Sequence, residues 1–146
     1  MKHPIHPMIV HFPIVGWTVT FFLDMYQYIN GVQWADLTQF VVVSSCIMAV
    51  IAMAAGLMDY LRQKPEQANA RRIEQHMYWA LALFAVFSFR ALLPTMLTSQ
   101  LLMWSLLTSA VGFVLLTYTA YLGGHLVYTH GLGGVAHFKK QPKSKD

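Results

Sequence analysis

Leu37-Thr-Gln-Phe-Val-Val-Val-Ser-Ser-Cys46-Ile-Met-Ala-Val-Ile-Ala-Met-Ala-Ala-Gly56-Leu-Met-Asp59-Tyr-Leu61 runs without a charge until Asp59. Wound as a helix at about 1.5 Å per residue, it exceeds the ~30 Å thickness of a bilayer's hydrocarbon core. It therefore reads as a membrane span. Ser45, Ala49, Ala52, Gly56 and Asp59 recur within it at spacings of three and four, which puts them on one helical face. Small side chains on a shared face let a second helix approach closely. Packing accounts for four of these residues and leaves Asp59 to be explained.

Working outward, residues 8–29, 76–93 and 101–122 form further apolar stretches of spanning or near-spanning length. The connectors at 30–36 and 94–100 are short, so neighbouring helices are expected to run antiparallel. The connector at 62–75 is longer and rich in polar residues. The expected fold is all-α, an integral membrane up-down-up-down four-helix bundle. One transmembrane domain is expected over residues 1–134, followed by a basic cytoplasmic tail over 135–146.

Composition agrees, with 56% hydrophobic residues against 11% charged, which is the balance of a membrane protein and not of a soluble domain. A net charge of +4 raises the question of nucleic acid, but the cations sit between apolar spans and in the tail, where lipid headgroups are the better match. No nucleic-acid partner is expected. With four spans, both termini share one side with Arg62, Lys64, Arg71 and Arg72. Lys2, Lys139, Lys140, Lys143 and Lys145 join them, and Arg90 alone lies near the other face. By the positive-inside rule the crowded side is cytoplasmic, which predicts a multi-pass protein of the bacterial inner membrane with both termini inside. Cys46 is the sole cysteine, so neither a disulfide framework nor a thiolate cluster is available. The first apolar stretch lacks a small-residue cleavage site and is expected to be retained as a span.

Ionisable groups at membrane depth are costly and mark candidate sites. Helix alternation carries His3, His6, His11, His76, His125 and His130 to the same end of the bundle, with Asp59, Arg62, Arg71 and Arg72 at a similar level. Histidine at an interface is often bland, because its ring reaches water. Six of them beside an aspartate favour a shared site. Pro4 and Pro7 predict extended backbone at His3 and His6, and Pro13 predicts a helix beginning near His11, with that ring facing the bundle. His76 is expected at a helix amino end, where the dipole disfavours imidazolium and leaves a nitrogen free as a ligand. Gly123 and Gly124, with Gly131, Gly133 and Gly134, predict fraying around His125 and His130. Tyr118 and Tyr121 fall on the His125 face of that helix. At the far end, Asp24 and Arg90 lie at comparable depth and are expected to form a structural ion pair. Trp17, Trp34, Trp79 and Trp104 read as belt or core residues.

Three segments carry a resemblance. His3-Pro-Ile-His-Pro-Met-Ile-Val-His11-Phe-Pro-Ile14, Gly56-Leu-Met-Asp59 and Leu122-Gly-Gly-His-Leu-Val-Tyr-Thr-His130-Gly131 together resemble the bacterial four-helix membrane family called domain of unknown function 2231. The likeness extends from His3 to about Gly131. It implies a compact membrane domain acting as a redox accessory, since such domains occur joined to Rieske or cytochrome modules. It also marks His3, His6, His11, Asp59, His76 and His130 as the family's polar positions, and His125 as a departure.

Three functions stay open. A b-type haem protein for electron transfer would take axial ligands from His11, His76, His125 or His130, with Arg62, Arg71 and Arg72 near the propionates. No Cys-x-x-Cys-His is present for covalent attachment. A non-haem iron, zinc or copper centre would draw on His3, His6, His11, Asp59, His76, His125 and His130. A non-catalytic membrane partner or assembly subunit needs neither. The first reading would make the chain an electron-transfer component or oxidoreductase, with a redox protein or a quinone as partner. A domain this small is also compatible with a homodimer.

Overall fold

The structure, a computed structural model, describes residues 6–32, 34–63, 67–96 and 100–130, the side chains at 63, 67–69, 95–96 and 128–130 excepted. Its helices are α1 (His6–Ile9), α2 (His11–Asn30), α3 (Ala35–Gln63), α4 (Gln67–Met96) and α5 (Leu101–His130). Val10 joins α1 to α2 in a right-handed helical conformation, so the two make one span. The four spans, His6–Asn30, Ala35–Arg62, Ala70–Pro94 and Leu101–Val127, are each long and apolar enough to cross a bilayer. They close a ring in which α2 packs on α3 and α5, and α4 packs on α5 and α3. The expected four-helix bundle is the fold observed.

Each helix turns inward along a seam that repeats about every seven residues, the signature of left-handed packing at shallow crossing angles. On α2 the buried positions are Pro13, Trp17, Thr20, Asp24 and Gln27. On α3 the seam runs through Thr38, Val42, Ser45, Ala49 and Ala52. Leu83, Phe87 and Arg90 supply it on α4, and Ser105, Ser109, Leu116 and Thr119 on α5. Large apolar side chains point the other way: Phe40 is 71% exposed whereas Thr20 is 0% exposed. Lipid solvates the outward residues, and helix contacts made through small and hydroxylated side chains bring the backbones close. A Cβ added at Gly16 would collide with the Ser45 side chain, so α2 and α3 meet over the small-residue face read from the sequence.

Core stacking crosses the bundle diagonal, where the Trp17 and Phe87 rings lie 4.9 Å apart and nearly parallel at 6°. Phe87 also fills the space opened by Gly112, where an added Cβ would come within 2.6 Å of the ring. Phe21 and Phe113 stack at 4.7 Å beside this pair.

Three local expectations are corrected. The polar run at 62–75 is mostly helix, because α4 begins at Gln67. Its Gln, Ala, Arg and Glu residues are good helix formers, and the last turns beyond the apolar boundary keep their hydrogen bonds. α5 continues through Gly123 and Gly124 to His130 without fraying. A helix packed on its neighbours tolerates glycine when the alternative is backbone exposed to lipid. His6 opens a helical turn in place of extended chain, with Pro7 in the first turn, where a missing N–H costs little. The interruption between α1 and α2 comes from Pro13, which has no N–H to return to the Ile9 carbonyl. Gly31, at φ 64°, ends α2 in the left-handed conformation.

Candidate functional site

The sequence candidates divide according to the seam. His6 lies seven residues before Pro13 on α2, and His76 lies seven before Leu83 on α4. Both therefore turn inward. His6 is half-buried, and its Nδ1 lies 2.7 Å from the Ala52 carbonyl oxygen on α3. A carbonyl can only accept, so Nδ1 carries the proton and Nε2 keeps a lone pair in the neutral ring. The ring rests over Gly56, where an added Cβ would come 3.0 Å from Nδ1 and 3.3 Å from Cε1.

His76 repeats this arrangement on the other side of the bundle end. Its ring lies over Gly123 of α5, with Cε1 3.1 Å from an added Cβ. The α5 backbone at Thr119 lies beside the ring, and His6 is close enough to act on it electrostatically. Its Nδ1 is buried without a partner. Two further atoms share that condition at this end, Oδ2 of Asp59 on α3 and Oγ1 of Thr119 on α5. Buried polar atoms are nearly always paired, so three orphans near one another at this end mark a place where something else supplies the partner. Just outside, the Tyr60 hydroxyl donates to Glu74 Oε1 at 3.1 Å and ties the end of α3 to the start of α4.

Other candidates fall elsewhere. His11 is exposed, because two residues before Pro13 is roughly the opposite face of α2. His125, one residue before the buried Leu126, is exposed beside Tyr121, with ring centres 6.4 Å apart. Tyr118 leans on Trp79 at 5.0 Å. Arg62, Arg71 and Arg72 are exposed around the same bundle end. His76 is more than two turns inside α4, so the argument from a helix amino end does not apply to it. His3 and the side chain of His130 lie outside the described residues. Among the described residues, no three of His, Cys, Asp and Glu converge closely enough to hold a metal ion.

At the far end, Asp24 and Arg90 pair as expected, with Arg90 Nε donating to Oδ2 at 2.8 Å. The sequence reading missed the polar shell around them. Gln27 Nε2 donates to Thr38 Oγ1 at 2.9 Å, and its Oε1 accepts from the Trp34 N–H at 2.6 Å. Gln39 Nε2 donates to the Ala91 carbonyl at 2.8 Å. The available signal was register: Gln27 follows Asp24 by three residues on the seam, and Thr119 precedes Gly123 by four on its own.

Such a bundle, with imidazoles seated at one end and an ion pair locked at the other, defines a polytopic helical membrane protein with a polar interior. The chain belongs to the DUF2231 family of predicted membrane proteins, whose family model matches residues 2–136. No curated protein and no solved structure matches the chain significantly.

Proposed function

We propose that this chain is a membrane electron-transfer subunit that binds a b-type haem at its histidine end, with His6 and His76 as axial ligands. The carrying observation is the matched condition of two imidazoles from different spans. Each is seated over a glycine of a neighbouring span; His6 turns its Nδ1 to the Ala52 carbonyl, which leaves Nε2 for a ligand, and His76 holds a buried Nδ1 without a partner. Metal-bound histidines characteristically donate their other N–H to a backbone carbonyl or carboxylate, which fixes tautomer and orientation. Two is also the largest number of axial ligands a haem iron accepts from protein.

The donor set suits that group. Gly56 and Gly123 let the two imidazoles lie close against α3 and α5, where a Cβ would crowd them, and Arg62, Arg71 and Arg72 fringe the same end as partners for propionates. When bound, the haem would supply a one-electron couple at one side of the membrane. By the positive-inside argument that side is the cytoplasmic face of a bacterial inner membrane. The protein's part is to hold the imidazoles, neutralise the acidic edge and exclude lipid. The electron partner on this reading is a redox protein or a quinone.

Asp59 favours a second reading, a non-haem iron, zinc or copper ion, because its buried Oδ2 lacks a partner and first-row metals accept mixed nitrogen and oxygen shells; since no three ligand-type side chains among the described residues converge, such an ion would draw at least one ligand from outside them. A visible spectrum of protein purified in mild detergent from haem-replete cells decides between them. A Soret band with resolved α and β bands is expected. Its absence rejects haem, and elemental analysis of the same sample then tests the bare ion. Failure of both leaves a non-catalytic membrane partner.

A further inference from the structure

At the ion-pair end, α2, α3, α4 and α5 leave a recess of about 30 Å³ lined by Asp24, Thr38, Gln39, Arg90, Pro94 and Ser105, among others. We propose that this recess is a water-binding site, holding one or two molecules between Arg90 Nη1 and Gln39 Oε1 beside the Asp24 carboxylate. The proposal is independent of what the histidine end binds.

Space comes first. A cavity needs roughly 10–15 Å³ on this measure to admit a water, so the recess takes one or two. The recess has room for water and little else. Polarity comes second, since an empty cavity of this size persists only when its lining is apolar. Here Arg90 is 4% exposed and its Nη1 is buried without a partner, as is Gln39 Oε1. Gln39 uses its Nε2 on the Ala91 carbonyl, so its orphan is the acceptor. Pro94 withholds the N–H that would have closed the helix ladder onto the Arg90 carbonyl, and it lines the recess at that interruption.

Charge decides the chemical class. Asp24 already neutralises Arg90, so a free anion gains no net attraction and meets the Gln39 and Asp24 oxygens. A cation meets the guanidinium. A neutral molecule that both accepts and donates satisfies Nη1 and Oε1 together, and the volume reduces that class to water. Bound water then gives the guanidinium the hydrogen bonds its carboxylate partner leaves unmade, which lowers the cost of keeping both charges inside a span.

The test is radiolytic hydroxyl labelling of the full chain in lipid nanodiscs, read by peptide mass spectrometry, with a scavenger that quenches radicals formed in bulk solvent. Radicals born from bound water oxidise what they touch and escape the scavenger. Leu101 and Leu102 of the lining are expected to label several-fold more than the buried Leu83 and Leu116. Gln39→Met, which removes the acceptor, should return that labelling to the level of Leu83. Scavenger-resistant labelling no higher than at Leu83 and Leu116 in the unmodified chain overturns the proposal. So does labelling that persists in Gln39→Met once circular dichroism shows it folded.

Discussion

Arg90 meets Asp24 through two parallel hydrogen bonds, Nε to Oδ2 at 2.8 Å and Nη2 to Oδ1 at 2.5 Å, and both side chains are almost fully removed from solvent. The planar fork of a guanidinium matches a carboxylate in this way, whereas a lysine offers a single point of charge. The pair joins α2 to α4, which are diagonal in the bundle, and the Trp17–Phe87 stack crosses the same diagonal. Polar and aromatic contacts thus hold together two helices whose backbones stay apart.

Removing one member of the pair should hurt more than removing both. Asp24→Leu leaves the Arg90 charge uncompensated inside a span, and breaking a buried pair typically costs about 3–5 kcal/mol. The double variant Asp24→Leu with Arg90→Met should recover most of that loss. Denaturation in mixed micelles measures it, and a double variant no more stable than Asp24→Leu would show that the carboxylate and guanidinium act separately.

Gly112 predicts a second coupling. An added Cβ there would sit 2.6 Å from Cε2 and 2.8 Å from Cζ of Phe87, whose ring is fully buried. Gly112→Ala should destabilise the bundle by about 1–3 kcal/mol, as overpacking of a filled core does. Phe87→Leu should lose stability on its own account yet be less harmful in the Gly112→Ala background than in the wild type. Additive losses in the same unfolding assay would place the strain somewhere else.

Span number, order and the ion pair were legible because they rest on long apolar runs and on charges too costly to leave unpaired in lipid. The site was legible only to the level of one bundle end. Choosing among its histidines needed the helical phase, which small and hydroxylated seam residues conceal from a reading of hydrophobicity. His6, Pro13, Thr20 and Gln27 stand at seven-residue steps, as do His76, Leu83 and Arg90. Attention to proline at positions 7 and 13 favoured His11 instead, and it is exposed. The extension of α4 back to Gln67 was hidden for another reason: a helix can run past the membrane boundary, so polarity marks the boundary and not the helix end.

Orientation has its own check. The cations gathered at the histidine end predict that this end faces the cytoplasm. A carboxyl-terminal fluorescent-protein fusion should therefore glow, and an alkaline phosphatase fusion at the same point should be inactive. Substituting Arg62, Arg71 and Arg72 by glutamine weakens the bias and should produce a mixed population. Phosphatase activity from the unmodified chain would invert the assignment and move the proposed cofactor to the outer face.

The histidines provide the sharpest discrimination, because residues of one type at one bundle end differ in phase. His6 and His76 lie inward over Gly56 and Gly123, and His11 and His125 are exposed. His6→Ala and His76→Ala should each abolish or strongly reduce the Soret band, measured as pyridine haemochrome per protein. His11→Ala and His125→Ala should keep it. Gly123→Ala adds a test that leaves every imidazole in place: its Cβ would come 3.1 Å from His76 Cε1, so the ring must shift. A displaced axial ligand changes the spectrum and potential of an iron centre even where the haem is retained. Loss of haem in His11→Ala or His125→Ala, with His6→Ala and His76→Ala unaffected, would transfer the ligand role to the exposed rings and remove the significance assigned to the glycine seats.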